Sequence, residues 1–296
     1  QEGMQWLQRN ELMSDDEILR LCNLLVTMGI EKIRITGGEP FVRKNILHLL
    51  TSISKINGVH ELTITTNGVL TASYVAELKK INIHSVNLSL DTLDRNNFFK
   101  ITRRDELPNV LKTLDELLRH DIKVKINAVV MEGKNTEDII PLAALTRHLP
   151  LQVRFIEEMP FNGTGHYFSG LNWNYQKITA LIHEKFPGIK KIEDSPTSIN
   201  YQAPGHAGSI GIIAAYTRSF CGTCNRIRIT PQGILKTCLY DDGILNIKDL
   251  MREGFNDNDL QTALINAFNK RAKDGWEAEK NRREKTDYES MTTIGG

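Results

Sequence analysis

Apolar positions in the first half of the chain switch repeatedly between helical and strand spacing. Ile18, Leu21, Cys22, Leu25 and Met28 recur at three- and four-residue intervals behind Ser14-Asp15-Asp16-Glu17, a capping-box pattern, and Gly29 ends that predicted helix. A β-rich run over residues 32–36 follows and closes on Gly37-Gly38. The alternation continues with helices predicted over 45–56, 72–80, 108–120 and 136–148, and strands over 62–66, 85–90, 123–130 and 152–156. Five strands interleaved with helices predict parallel βαβ units with right-handed crossovers, in a β/α barrel or a doubly wound sheet. Both folds place ligands at the carboxyl ends of the strands. That rule points to Thr36-Gly37-Gly38-Glu39-Pro40, Thr65-Thr66-Asn67-Gly68, Ser89-Leu90-Asp91 and Glu157-Glu158-Met159.

The texture changes after residue 160. Phe161-Asn162-Gly163-Thr164-Gly165 reads as a loop and residues 175–186 as a helix. Short strands broken by Gly and Pro fill 196–240, and a charged helical stretch runs from 250 to about 283. A boundary near 160 therefore separates residues 1–160 from residues 161–296. Composition adds a constraint on partners. The 37 basic and 36 acidic side chains leave a formal charge of +1, too little for a global field toward nucleic acid or anionic membranes. Anion binding, if present, is local. No apolar run approaches the roughly 20 residues of a membrane span, and no signal-peptide core opens the sequence. The expectation is a cytoplasmic protein with no nucleic acid and no membrane among its partners.

The strongest chemical signal is Cys221-Gly222-Thr223-Cys224 followed by Cys238. The CxxC turn aims two thiols at one centre, and the third sits across a predicted hairpin turned by Pro231-Gln232-Gly233. Three readings compete. A zinc site needs a fourth ligand such as His206. An iron–sulfur cube on three cysteines keeps one iron open, and a Cys221–Cys224 redox pair leaves Cys238 unexplained. Beside this cluster Arg226 and Arg228 alternate along a strand, a pair of guanidinium forks suited to phosphate or carboxylate, or else a solvated strand edge. Arg34 and Lys125 each alternate with apolar neighbours and so face away from them. Pointing into a barrel they would need an anion; pointing outward they would snorkel. In Gly37-Gly38-Glu39-Pro40 the glycines permit close backbone approach and Glu39 could accept from a ligand ammonium, with a plain βα turn as the alternative.

These segments, in this order, resemble one family. Lys32-Ile33-Arg34-Ile35-Thr36-Gly37-Gly38-Glu39-Pro40, Thr65-Thr66-Asn67-Gly68, Asn87-Leu88-Ser89-Leu90-Asp91, Arg154-Phe155-Ile156-Glu157 and Cys221-Gly222-Thr223-Cys224-Asn225-Arg226-Ile227-Arg228 are similar to the GTP 3′,8-cyclases of molybdenum cofactor biosynthesis, within the radical S-adenosylmethionine (SAM) superfamily. The resemblance runs from Glu2-Gly3-Met4 to Gly295-Gly296. It implies an α/β fold, an incomplete (β/α)6 TIM-type barrel, with a β-rich and helical carboxy-terminal extension. Two 4Fe–4S clusters are implied: one cleaves SAM to a 5′-deoxyadenosyl radical, and the other binds the guanine of GTP at an open iron. The implied product is (8S)-3′,8-cyclo-7,8-dihydroguanosine 5′-triphosphate, consumed by a cyclic pyranopterin monophosphate synthase.

Carried over by position, Cys221, Cys224 and Cys238 match the ligands of the second cluster. Arg34, Thr65, Lys125, Arg226 and Arg228 match GTP-binding positions, and Gly38, Ser89 and Met159 match SAM-binding positions. The Gly295-Gly296 tail matches one that reaches toward the active site. The chain departs from the pattern in lacking the CxxxCxxC motif of the SAM cluster, for which Cys22, on an apolar helix face, is no substitute. The resulting expectation is an amino-terminally truncated copy without its first strand, inactive alone, with a homodimer left open. Two alternatives stay open: a zinc-containing nucleic-acid-binding module, and a peptide-modifying radical SAM enzyme with an auxiliary cluster.

Overall fold

The computed structural model describes residues 8–159 and 171–282. Helices and strands alternate first: α1 (Asp15–Thr27), β1 (Lys32–Ile35), α2 (Ile46–Ser54), β2 (Glu61–Thr66), α3 (Val75–Lys80), β3 (Ser85–Ser89), α4 (Arg95–Thr102), α5 (Leu107–Arg119), β4 (Lys123–Val130), α6 (Ile139–Ala144) and β5 (Gln152–Glu157). After α7 (Tyr175–Lys185) come β6 (Lys190–Lys191), β7 (Ile199–Gln202), β8 (Ser209–Ile213), β9 (Arg228–Ile229), β10 (Ile234–Lys236) and β11 (Leu245–Asn246). Helices α8 (Ile247–Arg252), α9 (Asp257–Asn269) and α10 (Gly275–Lys280) follow.

Among the described residues one sheet has the order β1-β2-β3-β4-β5-β8-β7-β6, and β9–β11 form a separate small antiparallel sheet. Strands β1 to β5 and β8 run parallel, β7 runs against them, and β6, antiparallel to β7, returns to their direction. The sheet thus continues past residue 160: β8 pairs with β5 from Gln152↔Ser209 to Ile156↔Ile213. The predicted strands stand within a residue or two of their expected bounds. The charged stretch from 250 onward is three short helices rather than one, broken at Gly254 (φ +91°) and again before the Asp274 cap of α10. Helix α4 has no predicted counterpart. Only Phe98 of it is buried, so apolar spacing is weak, and its signal was the Asp94 cap, whose carboxylate accepts from Asn97 N.

The two faces of the strands have opposite chemistry. Ile64, Val86, Leu88, Val124, Ile126, Val153 and Phe155 pack outward against the helices in one large core. Phe155 has no exposed surface, so truncation to Ala would cost about 3–5 kcal/mol. A second core joins α1 to the carboxy-terminal region: Leu21, Leu24 and Leu25 meet Leu235, Ile247, Met251, Leu260 and Leu264. The capping box of α1 does double duty there. Ser14 and Glu17 exchange their two bonds, and Glu17 also accepts from Arg252 at 2.6 Å. The small sheet bearing Arg228 is therefore anchored on the helix preceding β1.

Candidate functional site

Because outward positions are apolar, their alternates face the concave side of the sheet. Register brings polar residues into rows there: Arg34 beside Thr63, Thr65 beside Asn87, Asn87 beside Lys125, and Asn127 beside Arg154. Side-chain bonds follow the rows. Arg34 Nε donates to Thr63 Oγ1 at 3.3 Å, and Asn87 Nδ2 to Thr65 Oγ1 at 3.2 Å. Arg154 Nε donates to Asn127 Oδ1 at 2.9 Å, and its Nη2 to Asn87 Oδ1 at 2.6 Å.

The cations on this face feel one another. Burial, then the fields of Arg226 and Arg228, pushes Arg34 down to about 10. Burial, then Arg34 and Arg226, pushes Arg154 down to about 9, and burial followed by Arg154, Lys32 and Arg34 pushes Lys125 down to about 8. Arg226 and Arg228 are lowered by burial too, Arg228 also by Arg226. Guanidinium groups stay protonated regardless, so for the arginines these shifts report chiefly the cost of burying a charge and, for Arg34, Arg154 and Arg228, repulsion from neighbouring cations as well. In a flat sheet β1 and β5 would stand about 19 Å apart, four spacings of about 4.8 Å. Arg34 and Arg154 interact directly, so the sheet curves into a partial barrel with its cations in the lumen. Arg34 keeps solvent-accessible surface while lying deep among protein atoms, as a side chain in a barrel mouth does.

The opposing carboxylate on β2, Glu61, is already paired with Lys32. Two like charges about 6 Å apart at an effective dielectric of about 20 repel by roughly 3 kcal/mol. Among the described residues, a lumen with Arg34, Lys125, Arg154, Arg226 and Arg228 therefore gathers like charges that repel one another. A surface cleft of about 710 Å³ between α4 and the loop after β4 is a weaker candidate. It mixes Lys100 and Lys134 with Asp94 and Asp138, and Asp138 is spent on Thr92 and Asn97.

The cysteines adjoin this lumen. Cys221, Cys224 and Cys238 are all free thiols, half-buried, and Arg228 lies in the fields of Cys224 and Cys238. Burial raises Cys221 and Cys238; Cys224 raises Cys221 further, and Cys221 does the same to Cys238. Cys221 thus lies in the fields of both other thiols. Cys238 Sγ accepts from Tyr240 N at 3.5 Å, and the backbone of Gly275 beside Cys221 partly offsets the effect of burial on that thiol. A Cβ on Gly275 would stand 3.0 Å from Arg218 Cδ and Tyr240 Cδ2 and 3.3 Å from Cys221 Sγ, so only glycine lets that backbone approach the sulfur.

Among the described residues no three His, Cys, Asp or Glu side chains crowd one point as a single ion demands. The fourth zinc ligand considered from sequence is also engaged elsewhere. His206 Nδ1 shares a 2.8 Å hydrogen bond with Thr146 Oγ1, and its ring packs edge-on to Phe186.

Loops carry these cysteines, and buried staples hold the loops. Glu157, fully buried at the end of β5, accepts from Tyr175 N (2.7 Å), Tyr216 N (2.9 Å) and Thr217 N (2.8 Å). The next residue, Arg218, donates to Gly275 O and to Glu279 Oε2, both at 2.8 Å, between the rings of Tyr240 and Trp276. Its own carbonyl accepts from Cys221 N at 3.1 Å. Asp241 Oδ2 accepts from Cys238 N at 2.7 Å.

The structure brings Arg34, Lys125, Arg226, Arg228 and the three cysteines to one region, with Thr65 on the same face. Gly38 and Ser89 are exposed at the strand ends, while Met159 sits on the cysteine side, its sulfur 3.6 Å from Tyr240 Oη. Glu39 is a staple: its carboxylate accepts from Phe41 N (3.2 Å), Thr66 Oγ1 (2.8 Å) and Asn67 N (2.8 Å). Gly37 is required by its φ of +92°, with open space where a Cβ would go. Sequence reasoning passed over Arg154, Asn87, Asn127, Glu157 and Arg218 as site residues. Arg154 had a readable signal, the same alternation between Val153 and Phe155 that singled out Arg34 and Lys125. Glu2-Gly3-Met4, Gly295-Gly296 and the loop over 161–165 lie outside the described residues. Among those described, no helix is long and apolar enough to cross a membrane.

Comparison with known proteins gives a consistent picture. Residues 4–146 match the family model of the Radical SAM superfamily, and residues 151–276 that of Molybdenum Cofactor Synthesis C. The chain is 40% identical over 274 residues to Molybdenum cofactor biosynthesis protein 1 of Dictyostelium discoideum, covering 90% of this chain and 43% of that protein. It is 38% identical over 266 residues to the GTP 3′,8-cyclase of Clostridium perfringens, covering 88% of this chain and 80% of that one. The chain thus spans less than half of the longer relatives and four fifths of the shorter. In fold it is similar to the SAM-bound SuiB of Streptococcus suis, with a TM-score of 0.62 at 16% identity over 88% of this chain and 62% of that one.

Proposed function

The chain belongs to the GTP 3′,8-cyclase family of radical SAM proteins, and on that premise we propose that it converts GTP to (8S)-3′,8-cyclo-7,8-dihydroguanosine 5′-triphosphate in molybdenum cofactor biosynthesis. The observation that carries this reading is the contiguity of a five-cation lumen with a three-cysteine group through Arg228. A triphosphate satisfies the cations, and a purine held at the cysteine end lies within reach of Arg226 and Arg228.

In this reading Arg34, Lys125 and Arg154 hold the triphosphate on the strands, and Thr65 supplies a hydroxyl on the same face. Arg226, steadied by Thr197, and Arg228 span from phosphate to base. Cys221, Cys224 and Cys238 hold a 4Fe–4S cluster with one open iron, while Gly38, Ser89 and Met159 belong to the SAM side. When bound, the iron–sulfur clusters and SAM supply one-electron chemistry that no side chain here can supply. The protein's part is to orient the nucleotide, neutralise its charge and exclude water. The chain's four cysteines contain no CxxxCxxC motif, so ligands for a SAM-cleaving cluster are not among the residues assigned here, and activity is proposed for the protein that has them. Residues 1–160 would form the barrel part and 161–296 the cluster-bearing part, joined through β8. A cytoplasmic location, a downstream cyclic pyranopterin monophosphate synthase and a homodimer complete the reading.

Anaerobic reconstitution with iron and sulfide tests it, followed by metal analysis and titration of GTP against the EPR signal. About four irons per chain, lost in Cys221→Ala and spectrally shifted by GTP, are expected. Zinc in place of iron, with no response to GTP, would overturn the reading.

A further inference from the structure

Arg154 is the least solvent-exposed of the lumen arginines, 6% exposed, and among the described residues no carboxylate pairs with it. Its two hydrogen bonds go to amide oxygens, Asn127 Oδ1 at 2.9 Å and Asn87 Oδ1 at 2.6 Å. Asn87 is itself 1% exposed and passes its amide donor to Thr65 Oγ1 at 3.2 Å. The amides come from β3 and β4, and the strand order puts both on one side of β5, so they fix the guanidinium plane through rigid register. A buried arginine is ordinarily stabilised by an ion pair, as Arg218 is here by Glu279. Choosing amides forgoes that gain. What it preserves is the charge: an amide oxygen orients the fork and leaves the whole positive charge for something else.

We propose that Asn87 and Asn127 are positioning residues that aim Arg154 at the substrate triphosphate while keeping it electrostatically uncompensated. This rests on the polyanion reading of the lumen. A purely structural role, tying β3, β4 and β5 together, would be filled as well or better by an aspartate, which adds a charge-assisted bond to the same donor. An anion-aiming role would be destroyed by it. The isosteric changes Asn87→Asp and Asn127→Asp therefore separate the two.

The test is calorimetric titration of inorganic tripolyphosphate, and in parallel GTP, into the full 296-residue chain, with thermal melts of every variant. Each Asp variant is expected to melt at or above the wild-type temperature and to bind tripolyphosphate at least about tenfold more weakly, the size of one unit charge introduced near the ligand. Asn127→Ala removes one arm without adding charge and should lose only about threefold; it keeps the test decisive if an Asp variant does not fold. Wild-type affinity retained by the Asp variants, with or without a higher melting temperature, would overturn the neutral clamp while leaving the polyanion lumen intact. A wild-type chain that binds neither tripolyphosphate nor GTP would sink the polyanion reading itself, and the clamp with it.

Discussion

The two halves of the candidate site are built by different means. Arg34, Lys125 and Arg154 stand on strands, and pairing register alone places them in the lumen. Cys221, Cys224 and Cys238 stand on loops, and their position depends on side chains that lie elsewhere in the sequence: Glu157, Arg218, Gly275 and Asp241. The strand-held half stores repulsion: its three cations are lowered by burial and by cationic neighbours. The loop-held half is knitted by hydrogen bonds, although Arg218 Nε is buried without a partner among the described residues. Mutations should therefore separate the halves: in the first, loss of anion binding with no loss of stability; in the second, loss of iron binding together with stability.

The hardest blow to the loop half is Arg218→Ala. It removes one donor to Glu279 and the side-chain donor to Gly275 O, and empties the slot between Tyr240 and Trp276. Breaking a buried pair of this kind costs about 3 kcal/mol or more, a fall in melting temperature of roughly 6–12 °C at this chain length. Iron uptake should be lost with it. Should Arg218→Ala melt and load iron like wild type, the loops are not held as described. A gentler probe is Gly275→Ala, whose Cβ meets Arg218, Tyr240 and Cys221 at 3.0–3.3 Å. We expect a loss of about 1–3 kcal/mol from overpacking and weaker iron binding, with tripolyphosphate affinity unchanged. Reduced affinity in that variant would mean that the two halves are coupled.

On the strand half, Arg34→Ala should weaken tripolyphosphate binding by about tenfold or more, the scale of one charge-assisted contact. Removing one of several like charges should leave the melting temperature unchanged or raise it. A destabilised Arg34→Ala would break the comparison, since it would show the lumen cations to be structural.

The same division explains what could be read in advance. The barrel's strands were legible because period-two alternation forces Ile33, Arg34 and Ile35 to opposite faces whatever the tertiary context. The Cys221-Gly222-Thr223-Cys224 turn was legible from spacing. Glu157 was not, because nothing local marks a carboxylate that will accept from Tyr175, Tyr216 and Thr217. Nor does the sequence show that Glu39 will be consumed by Thr66 and Asn67 at the end of β2, or that the strand at 209–213 returns to pair with β5 across more than 50 intervening residues. Long-range pairing of that kind leaves no periodic trace.

The smallest expected effect sharpens the comparison most, because one group carries opposite signs in two measurements. Burial and its cationic neighbours hold Lys125 down to about 8, against an ordinary value of 10.5. In the empty protein it is charged below that pH and neutral above it. A bound polyanion restores the charge, so above about pH 8 binding takes up a proton and affinity falls. Between pH 7 and pH 9 the loss is about tenfold for one such group. Folding runs the other way. Over the same window the unfolded chain binds more protons at this residue than the folded one, so the stability contributed by Lys125 rises with pH. Arginines stay charged throughout, and Lys125→Met provides the reference that removes the titration of the ligand itself. We expect the ratio of wild-type to Lys125→Met affinity for tripolyphosphate to fall from pH 7 to pH 9 while the corresponding stability difference shifts in favour of wild type. An affinity ratio independent of pH would place Lys125 outside the anion's reach and shrink the strand-held half to its arginines.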